Sequence, residues 1–285
     1  MKTRWTNTRQ YFKLLMLLVT LGFDSCARIK LNKSIGHTLK SVNEVRSQHL
    51  VIGDIQIHYM IAGSDSLPTM YFIHGSPGDW KAYSKYLEDE ELLQHFRIAV
   101  FDRPGFGEST PVKSIHLDEQ AKLLIAVCME NSNGKSCYLI GHSLGGPIAV
   151  LMAGLHPELF DGIALLAGSV CPALESPERW RNIFRMDPIR KFIPANLRRS
   201  NDEIFNFKKD IRMLDPCWDN ITCPVLLIHG TKDPLVPFGN ATYAMKRLHN
   251  SSQITLLKIV DANHFIPWEH FDTVKSSLVK YFNNK

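Results

Sequence analysis

A serine near the middle of the chain lies in a context typical of a catalytic nucleophile. Ser143 is the central residue of the segment GHSLG at 141–145, which fits the pattern G-x-S-x-G. The segment follows a short apolar run at 138–140 and precedes an apolar helical stretch, so it predicts a sharp strand-to-helix turn with the serine at its tip. A serine hydroxyl is a poor nucleophile until a base removes its proton. A histidine and an orienting carboxylate are therefore expected further along the chain.

Two residues in the last part of the chain are candidates for that base and that carboxylate. His264 lies between the last predicted strand and the last predicted helix, and Asp233 lies in the loop after a strand predicted at 225–228. Asp261 is a competing carboxylate, but it is close to His264 in the sequence and stands at the end of a strand. An aspartate before a proline is also an ordinary turn residue. We favour Asp233 as the residue that orients the imidazole.

Acyl transfer to a serine also needs backbone N–H groups that stabilise the negative charge developing on the substrate oxygen. One is expected from Leu144, the residue after the nucleophile. The other is expected from Ser76, in the segment HGSPG at 74–78 that follows a strand predicted at 70–73. This chemistry requires no metal and no organic cofactor. The expected partner is a small-molecule acyl substrate.

These residues are far apart in the sequence, so the fold has to bring them together. The chain alternates strand and helix patterns, and this alternation predicts a sheet covered by helices. Continuous apolar runs separated by helical periodicity are typical of a mostly parallel sheet with helices on both faces, an α/β fold. Predicted strands are 48–52, 55–61, 70–73, 97–101, 138–140, 163–166, 225–228 and 254–260, and predicted helices are 80–95, 116–131, 147–155, 238–248 and a last one from about Trp268.

The predicted core covers residues 45–169 and 220–285, and the segment between its two parts differs in composition. Residues 170–219 contain five prolines, many charges and several aromatic residues, but no clear strand pattern. This composition predicts a small helical cap that lies over a pocket. An ordinary surface excursion is the alternative.

The first residues predict a targeting segment. Residues 1–13 carry four cations and no acid, and an apolar run of ten residues follows at 14–23. This pattern is typical of a secretory signal, and the run is too short to span a bilayer comfortably. We predict a signal segment at 1–25, a tether at 26–44, and export to a bacterial cell envelope with lipid attachment at Cys26.

Charge, cysteines and absent motifs exclude several classes of protein. The net charge is +5, and three of these charges come from residues 1–25, so the rest of the chain has no charge excess that indicates a nucleic-acid partner. The six cysteines include no C-x-x-C, which argues against a clustered zinc site. Cys217 and Cys223 flank a turn and are candidates for a disulfide. Neither G-x-G-x-x-G nor the P-loop pattern occurs. The sequence leaves the oligomeric state open.

Five motifs in order make the chain resemble the α/β-hydrolase-fold superfamily over residues 45–283. They are HGSPG at 74–78, DRPGFGES at 102–109, GHSLGG at 141–146, HGTKDPLVP at 229–237 and ANHFIPWEH at 262–270.

The resemblance implies a role for each candidate. Ser143 would be the nucleophile, His264 the base and then the acid, and Asp233 the residue that orients the imidazole. The N–H groups of Ser76 and Leu144 would form the oxyanion hole. The segment 170–219 would correspond to the superfamily's cap, and the turn at 103–105 would be structural, without a catalytic role.

The identity of the nucleophile separates the branches of this superfamily. Relatives that open epoxides or remove halides carry an aspartate at the tip of this strand-to-helix turn. The serine here, Ser143, therefore disfavours both activities. We expect a carboxylesterase-like serine hydrolase. Hydrolysis of carbon–carbon bonds beside a ketone and removal of amino-terminal proline remain as alternatives. The second is weakened because Ser76 stands where such peptidases usually carry a glycine. A catalytically silent ligand-binding protein is the alternative that is not an enzyme.

Overall fold

The structure is a computed structural model that describes residues 44–112, 116–175 and 179–283. The predicted signal segment at 1–25, Cys26 and the predicted tether up to residue 43 lie outside the described residues. Within the described ranges, no helix combines the length and the apolar character needed to cross a bilayer.

Eight strands in the described part of the chain form one sheet. They are β1 (Arg46–Ile52), β2 (Ile55–Ala62), β3 (Thr69–Ile73), β4 (Arg97–Phe101), β5 (Cys137–His142), β6 (Gly162–Leu166), β7 (Val225–Gly230) and β8 (Ile254–Ile259). Their order is β1-β2-β4-β3-β5-β6-β7-β8. The predicted hairpin joins β1 to β2, and β2 is antiparallel to β4, whereas the six strands from β4 to β8 in this order are parallel. The predicted α/β fold class is confirmed.

The helices predicted at 116–131, 147–155 and 238–248 occur to within two residues, whereas the stretch predicted at 80–95 divides into a 3-10 turn at Trp80–Tyr83 and two short helices. Nine α-helices occur in the described residues. They are α1 (Ser84–Leu87), α2 (Glu90–His95), α3 (Leu117–Glu130), α4 (Gly145–Leu155), α5 (Ile189–Phe192), α6 (Ala195–Asp210), α7 (Gly239–Arg247), α8 (Ile266–Glu269) and α9 (Phe271–Phe282). Almost every residue of α4 is buried, which is why its sequence is apolar on all sides rather than amphipathic.

The sheet is buried on both faces because successive side chains of a strand point to opposite sides. In β3, Tyr71 and Ile73 pack on one face with residues of α3 and α4, whereas Met70 and Phe72 pack on the other face with residues of α2 and α9. Strands buried on both faces need apolar residues at every position, which explains the continuous apolar runs in the sequence.

The strand order decides where the functional loops meet. The chain passes from β3 to β4 on one side and then returns to place β5 on the other side of β3, so the order reverses between β3 and β5. Loops at the carboxyl ends of strands form a crevice at such a reversal. Ser76 follows β3 and Ser143 follows β5, so they lie on its two sides. Asp233 and His264 follow β7 and β8 at the same edge of the sheet.

The segment 170–219, called the cap segment below, is helical in its described part and contains no strand there. A 3-10 turn at Arg179–Arg185 precedes α5 and α6, and two further turns at Ile211–Leu214 and Trp218–Asn220 lead to β7. Phe207 and Trp218 are buried in the same cluster as Tyr71. The end of the cap segment nearest β7 is therefore continuous with the core of the sheet.

None of the five cysteines in the described residues takes part in a disulfide. The disulfide between Cys217 and Cys223 that the sequence suggested is therefore not formed. Burial raises the pKa of the thiols of Cys128 and Cys217. Both stay protonated and act as small apolar side chains rather than as nucleophiles.

Candidate active site

Ser143 lies in the turn between β5 and α4, where the sequence predicts the nucleophile. Its backbone φ is 53°, in the left-handed region that residues other than glycine rarely adopt. Its N–H donates to the carbonyl of Leu166 at 3.0 Å, and its own carbonyl accepts from the N–H groups of Gly146 at 3.0 Å and Ser169 at 3.1 Å. These bonds hold a strained backbone at the candidate nucleophile.

The glycines beside Ser143 are explained by close approaches between backbones. A Cβ atom at Gly145 would overlap the carbonyl oxygen of Ile73 in β3, and one at Gly141 would lie 2.5 Å from the carbonyl oxygen of Gly145. A side chain at either position would therefore push α4 away from β3 and β5. Glycine at both positions lets the helix begin directly above the sheet.

The structure brings Asp233 and His264 together at the carboxyl ends of β7 and β8. His264 Nδ1 lies 2.7 Å from Asp233 Oδ2, and both side chains are buried. Asp233 Oδ1 accepts from the N–H groups of Leu235 at 2.9 Å and Val236 at 2.8 Å. These bonds hold the carboxylate still. Its contact with Nδ1 keeps the proton of the neutral ring on that nitrogen, which leaves Nε2 free to accept a proton.

The competing carboxylate, Asp261, does not contact His264. It forms an ion pair with Lys232 at 3.0 Å, and 65% of its side chain is exposed. Its positive φ of 60° places it in the turn that follows β8. The geometry therefore makes Asp233 the partner of His264.

His142 connects the turn of the nucleophile to the candidate base. Its Nε2 lies 3.2 Å from the carbonyl oxygen of His264, and the two ring centroids are 4.8 Å apart. Burial lowers the pKa of His142 well below its ordinary value, and the nearby His264 adds to the effect. The ring is therefore neutral, with Nε2 as the donor. Its Nδ1 is buried without a hydrogen-bond partner among the described residues.

No hydrogen bond joins Ser143 to His264 among the described residues. The Ser143 hydroxyl makes no hydrogen bond to any described residue. His142, the residue before Ser143 in the chain, is the one whose ring lies against that of His264. Catalytic hydrogen bonds of this kind are often long in free enzymes and shorten when substrate binds.

The loop after β3 approaches Ser143 from the other side of the crevice. A Cβ atom at Gly75 would lie 3.0 Å from the Cβ and 3.4 Å from the Oγ of Ser143. The Gly75 carbonyl accepts from Arg103 Nη2 at 2.9 Å and from His74 Nδ1 at 2.7 Å. Because the C=O and the next N–H of a trans peptide point in opposite directions, the Ser76 N–H is directed away from Arg103.

The two predicted oxyanion-hole donors have no hydrogen-bond acceptor among the described residues. Leu144 is the residue before the first turn of α4. Neither its N–H nor that of Ser76 takes part in the loop and turn hydrogen bonds of the described residues. Both groups are therefore available to a negatively charged oxygen next to Ser143.

Arg103 has a larger role than the structural turn expected from the sequence. Its guanidinium is fully buried; Nη1 lies 2.5 Å and Nη2 3.1 Å from the carboxylate oxygens of Glu203 in α6, and Nη1 donates to Gln120 of α3 at 2.7 Å. Burial alone would raise the pKa of Glu203, but the charge of Arg103 and the hydrogen bonds to the carboxylate hold it below its ordinary value. Arg103 therefore joins the cap segment to the Gly75 carbonyl.

A cavity of about 190 Å³ lies away from these residues, at the opposite edge of the sheet. Its lining includes Thr69, Arg97 and Cys137, which stand at the amino ends of β3, β4 and β5. None of the predicted site residues contributes to it. In the described part of the chain, no group of three or more His, Cys, Asp or Glu residues is arranged to hold a metal ion.

Comparison with known sequences relates this chain to hydrolases. A family model described as the alpha/beta hydrolase fold matches residues 68–190. The chain is similar to epoxide hydrolase 1 of Caenorhabditis elegans, with 22% identity over 96% of this chain and 79% of that protein. It is also similar to 2-hydroxy-6-oxononadienedioate/2-hydroxy-6-oxononatrienedioate hydrolase of Paraburkholderia xenovorans, with 22% identity over 80% of this chain and 91% of that protein.

Solved structures extend the likeness to the fold as a whole. A carboxylesterase structure from the thaumarchaeon Nitrososphaera gargenis superposes with a TM-score of 0.65 at 17% identity, and the match covers 84% of this chain and 100% of that chain. These three similar proteins are hydrolases, and their names differ in the substrate.

Removing the partner of Arg103 is expected to loosen both the cap segment and the loop after β3 at 74–78, called the oxyanion loop below. Glu203→Ala leaves a buried guanidinium without its counter-charge, so the free energy of unfolding should fall by about 3–5 kcal/mol. The Gly75 carbonyl then loses a fixed donor, so the rate at which a fluorophosphonate labels Ser143 should fall about tenfold. Urea unfolding and labelling kinetics measure the two effects.

A double variant separates stability from positioning. Arg103→Met/Glu203→Leu leaves no charge unpaired, so stability should recover, whereas labelling should stay slow because Gly75 has lost one of its two donors. Glu130→Ala, which removes an exposed carboxylate from α3, is the control for both measurements. A double variant that is labelled at the wild-type rate would contradict a positioning role for Arg103.

Buried neutral histidines should make the protein less stable in acid. Burial lowers the pKa of His142 and His229, and burial together with the Arg103 charge lowers the pKa of His74 to about 3. In the unfolded chain these rings titrate near pH 6.5, so below that pH the unfolded state binds more protons than the folded state. The free energy of unfolding should therefore fall as the pH drops from 7.5 to 5, by at most about 1.4 kcal/mol per pH unit for each ring.

Urea unfolding midpoints across this pH range test the effect. His142→Gln should show a shallower decline than the wild type, because one ring that must stay neutral has been removed. His49→Gln, on the exposed edge strand β1, should keep the wild-type slope. Equal slopes in the wild type and His142→Gln would show that His142 does not contribute.

Proposed function

We infer that this chain, which belongs to the α/β-hydrolase-fold superfamily, is a serine hydrolase that cleaves small-molecule carboxylic esters or related acyl bonds. The observation that carries the proposal is the hydrogen-bonded pair of His264 and Asp233 beside the strained turn of Ser143. A hydroxyl, an imidazole and a carboxylate in these positions are the components of acyl transfer through a covalent intermediate.

The proposed reaction has two halves. In the first, His264 Nε2 takes the proton of Ser143 while Oγ attacks the substrate carbonyl, and Asp233 stabilises the imidazolium. The N–H groups of Ser76 and Leu144 stabilise the oxyanion, and its collapse releases the alcohol, which takes the proton from His264. In the second, His264 removes a proton from water, which attacks the acyl-serine, releases the acid and restores the hydroxyl.

A serine nucleophile limits the substrates to compounds with an electrophilic carbonyl. Attack by Ser143 on an epoxide carbon would leave an alkyl ether on the enzyme, and such an ether has no carbonyl for an activated water to attack. Attack on an ester leaves an acyl-serine, which the same histidine can hydrolyse. The similarity to the C. elegans epoxide hydrolase therefore supports the fold. The serine nucleophile favours cleavage of an ester bond over opening of an epoxide.

Hydrolysis of a carbon–carbon bond beside a ketone is a second candidate. It is favoured by the similarity to the Paraburkholderia xenovorans enzyme, whose named substrates carry an oxo group and which matches over most of both chains. The ketone also offers a carbonyl for attack, but the leaving group is then carbon and must receive a proton. The two candidates share Ser143 and His264 and differ in the leaving group.

Ser143→Ala should abolish hydrolysis and covalent labelling. Removal of the nucleophile is expected to lower kcat by about 10⁴-fold or more, because only binding and the oxyanion hole remain. The test is attachment of a fluorophosphonate, detected by mass spectrometry of the intact protein. Wild type should gain one adduct and Ser143→Ala none.

The matched control is Ser76→Ala, which removes a hydroxyl on the other side of the crevice and keeps the backbone N–H. The Ser76 hydroxyl contacts Ser200 at 3.1 Å and has no part in the proposed reaction. This variant should still be labelled. A folded wild-type protein that takes no label would instead favour a catalytically silent ligand-binding protein.

A substrate panel should distinguish the bonds. We expect kcat/KM for p-nitrophenyl esters of graded chain length to exceed that for proline p-nitroanilide or a hydroxy-oxo-dienoate by at least about 100-fold. The reason is that a phenoxide leaves more readily than an amine or a carbanion. Ser143→Ala supplies the background rate for each compound. Faster turnover of the dienoate would replace the ester proposal with carbon–carbon hydrolysis.

A further inference from the structure

The cap segment carries a group of large apolar side chains that are exposed to solvent. The exposed fractions are 52% for Ile183, 60% for Met186, 41% for Ile189, 85% for Phe192 and 47% for Phe205. Four of the five lie within ten consecutive residues, and Phe192 is the most exposed large apolar side chain among the described residues. An exposed apolar group of this kind usually marks a binding surface.

Local contacts place Phe205 with the other four. Arg185 stacks on the Phe205 ring at 4.1 Å from its centroid, and it also lies 3.5 Å from Asp202. Arg190 binds the same carboxylate at 2.7 Å and 3.0 Å. The stretch 183–192 is thereby pinned against α6. We call the surface formed by Ile183, Arg185, Met186, Ile189, Arg190, Lys191, Phe192 and Phe205 the cap face.

The cap face lies in a strongly basic part of the chain. Residues 181–212 contain nine lysines and arginines and four acids, an excess equal to the net charge of the whole chain. Glu203 and Asp210 pair with partners outside this stretch, Arg103 and His116. Asp202 pairs with Arg185 and Arg190 of the cap face, and Asp187 is exposed beside them.

We propose that the cap face docks on an anionic lipid bilayer. Apolar side chains flanked by lysine and arginine match the two layers of such a surface, because the apolar groups enter the acyl boundary while the cations stay among the phosphates. A second copy of the chain fits poorly, since it would oppose one basic surface to another. A nucleic acid would match the charge but would leave Phe192 and Met186 exposed to water.

Docking of this face would place the bilayer close to the proposed active site. Helix α6 carries Phe205 on the cap face and Glu203 on its buried side, where Glu203 binds Arg103 and thereby the oxyanion loop. The membrane surface would then contact the helix that holds this loop. The attachment that the sequence predicts through residues 1–26 would act independently, and two weak anchors bind a membrane far more stably than one.

Vesicle binding by the full chain tests the proposal without any need for catalysis. Co-sedimentation with phosphatidylcholine vesicles containing phosphatidylglycerol should give a higher affinity than pure phosphatidylcholine, and added salt should weaken it. Phe192→Ser should weaken binding to the anionic vesicles about tenfold, and Met186→Ser about fivefold. Met129→Ser is the matched control, because Met129 is 55% exposed on α3, outside the cap face.

A charge pair tests the electrostatic part of the proposal. Lys191→Glu should weaken binding about tenfold, because it replaces a cation at the membrane surface with an anion. Lys246→Glu makes the same change on the exposed surface of α7 and should leave the affinity within about twofold. Equal losses in Lys191→Glu and Lys246→Glu would show that only net charge matters and would overturn the cap face as the docking site.

Hydrogen exchange separates docking by the cap face from tethering by the amino terminus. Vesicles should slow exchange at 183–193 in the wild type, and this protection should disappear in Phe192→Ser. Binding without protection at 183–193 would overturn the proposal, because the tether alone would then hold the protein. Protection that appears without vesicles and rises with protein concentration would also overturn it, in favour of a second copy as the occupant.

Discussion

The buried positive charge of Arg103 is the constraint on which the candidate site depends. A guanidinium removed from water costs several kcal/mol unless its donors are paired, so the fold has to supply acceptors around it. They come from three separate parts of the chain: the Gly75 carbonyl, Gln120 in α3 and Glu203 in α6. The same charge therefore anchors the cap segment and orients the peptide that carries the Ser76 N–H. Stability and oxyanion-hole geometry are linked through one side chain.

A chain of hydroxyl, imidazole and carboxylate is not sufficient to make an active site, and this protein contains a contrasting example. Ser47 Oγ lies 2.9 Å from His58 Nε2, and His58 Nδ1 lies 2.7 Å from Asp102. Ser47, however, lies inside strand β1 and pairs with β2, so no helix start or glycine loop surrounds it with free N–H groups. Ser143 stands at a strand end, on a strained turn, beside two N–H donors that no described residue accepts from. The surrounding backbone distinguishes the two serines, because stabilising an oxyanion requires oriented donors.

Most of the fold could be predicted because its signals are local. A strand buried on both faces shows as a continuous apolar run, and a helix shows as apolar residues at intervals of three and four. The eight predicted strands all occur. The longer predicted helices occur with shifts of a residue or two at their ends, whereas the stretch predicted at 80–95 divides into a 3-10 turn and two short helices. The disulfide between Cys217 and Cys223 does not form. The sequence showed the order of Ser143, Asp233 and His264 along the chain. It could not show that Asp233 contacts His264, because Asp261 was a competing carboxylate.

By itself the sequence determined the sheet, the turn that carries Ser143 and the loops that carry Asp233 and His264, because each follows from a pattern within a few neighbouring residues. Only the tertiary structure decided which carboxylate faces the imidazole, how Arg103 is neutralised and which apolar side chains of the cap segment stay in water. Arg103 and Glu203 are 100 residues apart, and His142 and His264 are 122 apart. No periodic pattern connects such positions. Their contacts arise when the parallel strands place their carboxyl ends at one edge and the buried charges must find partners there.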